Sequence, residues 1–336
     1  MKEEPGKKNL LEIRNLAISI QSDGQKYTAV DSISYEVKED EILGVVGESG
    51  CGKTVTNLAL MGLLPPSLSV SGGSICFDGK KLEELSEKER QDLNGNEISM
   101  IYQEPLTSLN PLMKIADQVE EPLRIHHPEL TREERKQRVL QALSEVGLPE
   151  PEKVAGMYPH QLSGGMRQRV CIAMATICRP RLMIADEPTT ALDVTVQARV
   201  LRLLRHINRK YGVSMIFISH DLAVVRQICD RVLVMYAGKI VEEGPVDQIL
   251  RDPAHEYTKG LIRSIPQVDS KGKDLPAIPG HVPSTQETRT PCPFAPRCRL
   301  AEDICRECPP PKKVLSAGHA AYCHLLKENG QENCDE

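Results

Sequence analysis

Gly47-Glu48-Ser49-Gly50-Cys51-Gly52-Lys53-Thr54 is the stretch on which the fold class turns. An apolar run, Ile42-Leu43-Gly44-Val45-Val46, precedes it, and a helix-like segment from Val55 to Leu64 follows. Strand, glycine-rich turn and helix in that order form the setting of a phosphate-binding loop. Glycines let consecutive backbone N–H groups converge on phosphate oxygens with no Cβ in the way. The helix that starts near Lys53 adds the positive end of its dipole. Lys53 is placed to reach the β and γ phosphates of a nucleotide, and the Thr54 hydroxyl to ligate magnesium. An ordinary glycine turn would account for the glycines alone; the full Gly-x4-Gly-Lys-Thr pattern in these flanks points to nucleotide binding.

The chain of 336 residues accommodates one large α/β domain with an extension, or two domains. Its 42 Lys and Arg against 47 Asp and Glu give a net charge of −5, which argues against a non-specific polyanion binder. The first residues are charged and lack the apolar core of a signal peptide. No segment offers the ~18 uninterrupted apolar residues of a membrane span. A cytosolic protein is the expectation. Of the 11 cysteines, Cys76, Cys171, Cys178 and Cys229 fall in apolar runs and read as small buried hydrophobes. Cys51 and Cys334 stand apart, and the other five lie between Cys292 and Cys323.

Alternation from Leu11 to Ile20, with one phase break (Leu11 and Ile13, then Leu16, Ile18 and Ile20), reads as an edge strand, and Ser32 to Val37 repeats the pattern. Between them Tyr27 is placed either to stack on an adenine ring or simply to sit on a strand surface. Ser74 to Phe77 is a strand ending in an Asp78-Gly79 turn. Leu82 to Leu93 reads as a charged helix, Ile98 to Tyr102 as a strand that delivers Gln103 to a loop, and Ala116 to Leu148 as helical. Leu162-Ser163-Gly164-Gly165-Met166 then opens a helix. Ser163 sits as an N-cap would, and the two glycines would let a phosphate approach; a plain capped start is the other reading. The apolar run Leu182 to Ala185 ends in Asp186 and Glu187. Adjacent carboxylates at the end of a buried strand are costly unless they have a task. Beside a phosphate loop, Asp186 would hold magnesium through a water, and Glu187 would orient and deprotonate the attacking water. Val196 to Ile207 is an amphipathic helix, Ser214 to Ile218 a strand ending before His220, and Val232 to Val241 a hairpin around Ala237-Gly238-Lys239. His220 either touches a γ-phosphate or is structural.

Together these pieces resemble the ATP-binding subunit of an ABC transporter, over about residues 8–250. The resemblance rests on the phosphate loop, the Q-loop glutamine Gln103, and the signature Leu162-Ser163-Gly164-Gly165-Met166. It rests equally on the Walker B strand ending at Asp186, the catalytic Glu187, the D-loop Ala191-Leu192-Asp193 and the switch histidine His220, all in order. Glu104-Pro105-Leu106-Thr107-Ser108-Leu109-Asn110-Pro111, the run Asp186 to Thr195, His255-Glu256-Tyr257-Thr258-Lys259-Gly260-Leu261 and Ile278-Pro279-Gly280 are similar to the dipeptide/oligopeptide importer branch, which includes nickel importers. Within it the D-type ATPases of dipeptide systems match best. Glu256 departs from the proline usual in that branch.

The resemblance implies an α/β P-loop NTPase fold. Its parts are a RecA-like core, an antiparallel β subdomain and a helical subdomain at roughly 104–176, with a Cys-rich C-terminal extension over 251–336. It makes Gln103, His220 and Ser163 functional, with Gln103 also a magnesium ligand. It implies a cassette dimer in which Ser163, Gly164 and Gly165 cap the ATP on the phosphate loop of a second, homologous ATPase, distinct or identical. It further implies two membrane permease subunits, an extracytoplasmic binding protein acting indirectly, a peripheral place on the cytosolic membrane face, and no nucleic acid. A soluble ABC-type ATPase acting on nucleic acid or ribosomes is the rival class. Such proteins carry long coiled coils or two cassettes, and this chain shows one cassette and no heptad insertion. A regulatory module without hydrolysis would be expected to lack Glu187 or His220.

In the extension, Cys292, Cys298, Cys305, Cys308 and Cys323 lie in a proline-rich segment poor in apolar residues. Four thiolates there would bind a metal centre and order the segment. The branch pattern falls on Cys292, Cys298, Cys305 and Cys323, which in some relatives hold a 4Fe–4S cluster; zinc or free thiols are the alternatives, and Cys308 is an extra candidate. Cys51, where the branch commonly has serine, is either a thiol activated by the helix terminus or a tolerated small residue.

Overall fold

The Ile42–Val46 strand is buried at all five positions, as its unbroken apolar run requires of a strand covered on both faces. The computed structural model describes residues 7–104, 108–190, 192–265, 278–287 and 290–326. Pro105-Leu106-Thr107, Ala191 of the expected D-loop and Cys334 lie outside the described residues. The chain divides into two units, each described by itself: the residues up to Leu11 with Glu36–Ile42 and Cys76–Ile218, and Glu12–Tyr35 with Leu43–Ile75 and the residues from Ser219 on.

In the first unit three parallel strands, Ile98–Ile101, Leu182–Asp186 and Ser214–Ser219, lie side by side. Ile101 pairs with Ala185, and Asp186 with Ile218. The helix Val194–Tyr211 shows why an amphipathic pattern folds as it does. Val200, Leu201, Leu204 and Ile207 form its buried stripe. Asp193 caps its start by accepting from the N–H groups of Thr195 and Val196, so this D-loop aspartate serves as a helix cap. Gly212, left-handed at φ 65°, ends it.

Two expected helices are broken by their own capping signals. Leu82 to Leu93 divides into a 3-10 turn, Leu82–Glu84, and a helix, Glu87–Leu93, because Ser86 and Glu89 form a capping box that restarts the chain. Ala116 to Leu148 divides into Ile115–His126 and Arg132–Glu145, the second begun by the Thr131–Glu134 box.

In the second unit Ile42–Val46 runs parallel to Arg231–Tyr236 from Leu43 on, with Val46 opposite Val234. Arg231–Tyr236 turns at Ala237-Gly238 into the antiparallel Lys239–Pro245, as the turn residues foretold. His319–Tyr322 pairs with that strand, and Lys312–Ser316 with His319–Tyr322. The extension thus adds strands that its sparse apolar content did not announce.

A four-stranded sheet has Asn9–Ser22 inside it, between Gln25–Lys38 and Leu68–Phe77, with the short Lys80–Lys81 beyond. The expected edge strand is therefore interior. Its phase break is local: Asn15 adopts φ 47°, and its N–H donates to Ser34 Oγ at 2.7 Å. A left-handed residue inside a strand shows in the sequence as a lost period. Among the described residues no helix is long and apolar enough to cross a membrane. Cys171 and Cys229 are buried as expected, whereas Cys76 and Cys178 are only half-buried.

Candidate functional site

The phosphate loop leaves the Ile42–Val46 strand at Gly47. A Cβ built there would lie 2.2 Å from the Met235 carbonyl oxygen and 2.7 Å from Cys51 Sγ, so only glycine fits. At the other end Gly52, at φ 103°, leads into the helix Lys53–Met61 without a side-chain cap. The N-cap thus offers no side-chain acceptor to the first N–H groups of that helix, of which that of Lys53 faces the Cys51 thiol. Lys53 is almost wholly buried; its Nζ donates to the carbonyls of Gly47 at 2.7 Å and Glu48 at 3.1 Å. The ammonium is held at the loop, where a phosphate would meet it. Ser49, Gly50 and the Thr54 side are exposed. Tyr27, half-buried, donates from Oη to Gln25 Oε1 at 2.7 Å.

Cys51 does not carry the activated-thiol reading. It is fully buried, and burial pushes its thiol above the ordinary value against the pull of the Lys53 ammonium. A reactive cysteine needs exposure as well as positive potential. The thiol fills the space that Gly47 leaves open and accepts from Lys53 Nζ at 3.6 Å, and its carbonyl accepts from Gly238 N–H at 3.0 Å.

The two adjacent carboxylates, Asp186 and Glu187, belong to the first unit. Leu182–Asp186 is buried throughout and ends on Asp186. Glu187 follows at φ 45°, an unfavourable conformation for a side chain with a Cβ. Its N–H donates to Ile218 O at 3.2 Å, which holds it there. The Ile101–Ala185 pairing sends the two chains out of the sheet side by side. Two residues on from each, Gln103 Nε2 donates to Glu187 Oε2 at 3.1 Å. Thr190 Oγ1 donates to the same oxygen at 2.9 Å. Gln103, expected on magnesium, here orients the Glu187 carboxylate.

Ser163 is the N-cap anticipated, accepting from Met166 N–H at 3.3 Å at the start of Gly164–Thr176. Its two glycines differ. A Cβ on Gly164 would meet open space, while one on Gly165 would come within 2.8 Å of Val196 Cγ1. Gly165 keeps a Cβ out of the space that Val196 fills, whereas Gly164 faces open space where its Cβ would stand. His220 is exposed at the end of Ser214–Ser219.

Sequence reasoning missed two residues that touch the loop. Glu48 N–H donates to Tyr257 Oη at 2.9 Å. Arg297 clasps the Glu48 carboxylate with both arms, Nη1 to Oε2 at 2.7 Å and Nη2 to Oε1 at 3.2 Å. A buried arginine wedged between two cysteines of an expected metal segment gave no local sign of a partner 249 positions away.

The metal centre expected of the cysteines is not formed as a ligand set. Among the described residues no three His, Cys, Asp or Glu side chains are disposed to hold a metal ion. Burial raises the pKa values of Cys292, Cys298 and Cys323, and Cys305 raises each further, with Cys323 adding to the rise at Cys292 and Cys298. Cys308 is exposed, with its carbonyl 3.1 Å from His324 Nε2.

A family profile described as ABC transporter matches residues 30–190, and one described as oligopeptide/dipeptide transporter, C-terminal region, matches 241–305. The dipeptide transport ATP-binding protein DppD of Bacillus subtilis (strain 168) is 45% identical over 323 residues, 96% of this chain and 96% of its own. The oligopeptide transport ATP-binding protein OppD of the same organism is 47% identical over 319 residues, 94% of this chain and 89% of its own. Among solved structures, the dimeric post-hydrolysis state of the ATP-binding cassette MJ0796, bound to ADP and Pi, gives a TM-score of 0.63 at 27% identity. It covers 70% of this chain and 98% of that one.

Proposed function

The chain belongs to the ABC transporter family of ATP-binding proteins, and we propose from that premise that it hydrolyses ATP to energise the import of di- or oligopeptides. The observation that carries the ATPase reading is the Glu187 carboxylate, oriented by Gln103 and Thr190 at the end of a buried strand. Peptide as cargo is supported by the relatives' names and by the match of the C-terminal region.

Lys53 and the N–H groups of the Gly47–Thr54 loop take the phosphates, and Tyr27 the adenine. By the family likeness Thr54, Gln103 and Asp186 would hold magnesium, which supplies charge neutralisation on the phosphates. Magnesium takes few protein oxygens beside phosphate and water, so a hydroxyl, an amide oxygen and a carboxylate suit it. Glu187 accepts the proton of the attacking water, Gln103 keeps that carboxylate in line, and His220 senses the γ-phosphate. Ser163, Gly164 and Gly165 cap the nucleotide of a second cassette. Two such cassettes work beneath two permease subunits on the cytosolic membrane face, 8–250 forming the cassette and 251–336 its extension. Tighter binding of ATP by the closed pair than by the open one converts nucleotide energy into motion.

The test is uptake into membrane vesicles bearing this chain, its permeases and its partner ATPase, with a labelled dipeptide and with nickel as probes. ATP-dependent dipeptide accumulation is expected. Nickel uptake alone would move the cargo to another member of the branch. ATPase stimulated by DNA or ribosomes but not by the permeases would overturn the importer.

The finer reading of the extension is that Cys292, Cys298, Cys305 and Cys323 take an iron–sulfur cluster, or zinc, as a structural staple. Supporting it is the match of the oligopeptide/dipeptide C-terminal region over 241–305, which contains three of the four cysteines; a bound cation would turn neutral thiols into thiolates and draw them together. Anaerobically purified protein is expected to be brown and to contain iron. Colourless protein with stoichiometric zinc selects zinc, and metal-free protein of unchanged stability removes the staple.

A further inference from the structure

The C-terminal region holds the nucleotide loop by hand. Arg297 has a side chain only 6% exposed. Besides the fork on Glu48, its Nε donates to Pro279 O at 2.8 Å and its Nη2 to Ile278 O at 3.2 Å. Its Nη1 also reaches Tyr236 Oη at 3.3 Å. The guanidinium lies over the Tyr236 and Phe294 rings, 5.7 and 6.0 Å from their centroids. Tyr236, Tyr257 and Phe294 pack together with centroids 4.7 to 5.5 Å apart. So the two groups that grip Glu48 are fixed to one aromatic cluster. Both Tyr257 and Arg297 fall within the matched C-terminal region, while Glu48 falls within the matched ATP-binding region.

The charge arithmetic gives this grip a purpose. A carboxylate in a loop that must accept a polyanionic triphosphate opposes its own ligand. A bidentate guanidinium cancels that charge, and it does so with a planar fork that also fixes the direction of the side chain. The Tyr257 hydroxyl fixes the Glu48 backbone, one residue from Gly47.

We propose that Arg297 and Tyr257 are positioning residues for ATP: through Glu48 they set the phosphate loop and neutralise its one carboxylate, making the C-terminal region part of the nucleotide site. The proposal rests on the ATP-binding reading above. It extends the function of the 241–305 region from an appendage to an arm of the catalytic cassette, and it places Cys298, the neighbour of Arg297, where ordering of the cysteine segment would be felt by the loop.

The experiment is equilibrium titration of the full chain with magnesium and a fluorescent ATP analogue. Arg297→Ala is expected to weaken binding by about tenfold, the effect of losing one charge-assisted pair. Arg297→Lys, which keeps the charge but not the fork, and Tyr257→Phe are each expected to weaken it by about threefold. The decisive variant is the double Glu48→Gln, Arg297→Ala. With the opposing carboxylate removed, most of the affinity lost in Arg297→Ala returns; a purely structural role for Arg297 would give no such rescue. Unchanged affinity in a folded Arg297→Ala chain, or no recovery in the double variant, overturns the proposal. Should Arg297→Ala not fold, Arg297→Lys decides, an unchanged affinity counting against. Lys53→Ala separates the two readings: if it still binds the analogue, the nucleotide site itself is misassigned, whereas loss in Lys53→Ala with no change in Arg297→Lys sinks only the arm.

Discussion

Glu187→Gln binds magnesium-ATP as the unaltered chain does and hydrolyses it about 10²–10⁴-fold more slowly, the range lost with a general base. The structure makes the substitution a clean one. A glutamine side chain has the shape of glutamate, so its amide oxygen still accepts from Thr190 Oγ1 and Gln103 Nε2, and the backbone still donates to Ile218 O. The φ of 45° costs glutamine what it costs glutamate. What changes is the ability to take a proton from water. Single-turnover phosphate release in the assembled transporter, set beside nucleotide affinity, is the measurement. Undiminished turnover would take Glu187 out of the role of base and leave the Gln103 contact without a purpose.

That pair also shows where a sequence can and cannot be read. Gln103 and Glu187 each stand at the end of an apolar run, which is visible along the chain. Their contact spans 84 residues and follows only from the pairing of Ile101 with Ala185. Local signals suffice where the structure is local: the strand, turn and helix around Gly47–Thr54, the Ser163 cap and the Ala237-Gly238 turn all depend on neighbouring residues. They were misread where one local signal overrode another. The Ser86–Glu89 and Thr131–Glu134 boxes cut helices that periodicity alone would run through. The left-handed Asn15 hid an interior strand behind a lost period. The grip of Arg297 on Glu48 lay beyond reach, because an arginine among cysteines and prolines reads as a solvated charge until tertiary structure buries it.

Gly47→Ala is expected to abolish nucleotide binding while Gly50→Ala leaves most of it, although both glycines belong to one motif. The added methyl at Gly47 would meet the Met235 carbonyl oxygen at 2.2 Å and Cys51 Sγ at 2.7 Å. Neither can give way cheaply. Met235 lies in a strand that pairs with the loop's own strand through Val46 and Val234 and with Ile240 across the hairpin. Cys51 is tied by its carbonyl to Gly238. The clash is therefore relieved by moving the loop, and with it the Gly47 and Glu48 carbonyls that hold Lys53 Nζ. Overpacking of this kind costs about 1–3 kcal/mol of stability, and an affinity for magnesium-ATP reduced to about 1% of the original or less corresponds to roughly 3 kcal/mol. At Gly50 a Cβ meets nothing within 4 Å, and only the φ of 78° opposes alanine, a penalty of about 1–2 kcal/mol in the left-handed region. Thermal unfolding and analogue titration of the two variants check the ordering. Equal losses at Gly47 and Gly50 would mean that backbone conformation, and not the fit of the loop against Met235 and Cys51, governs the phosphate site.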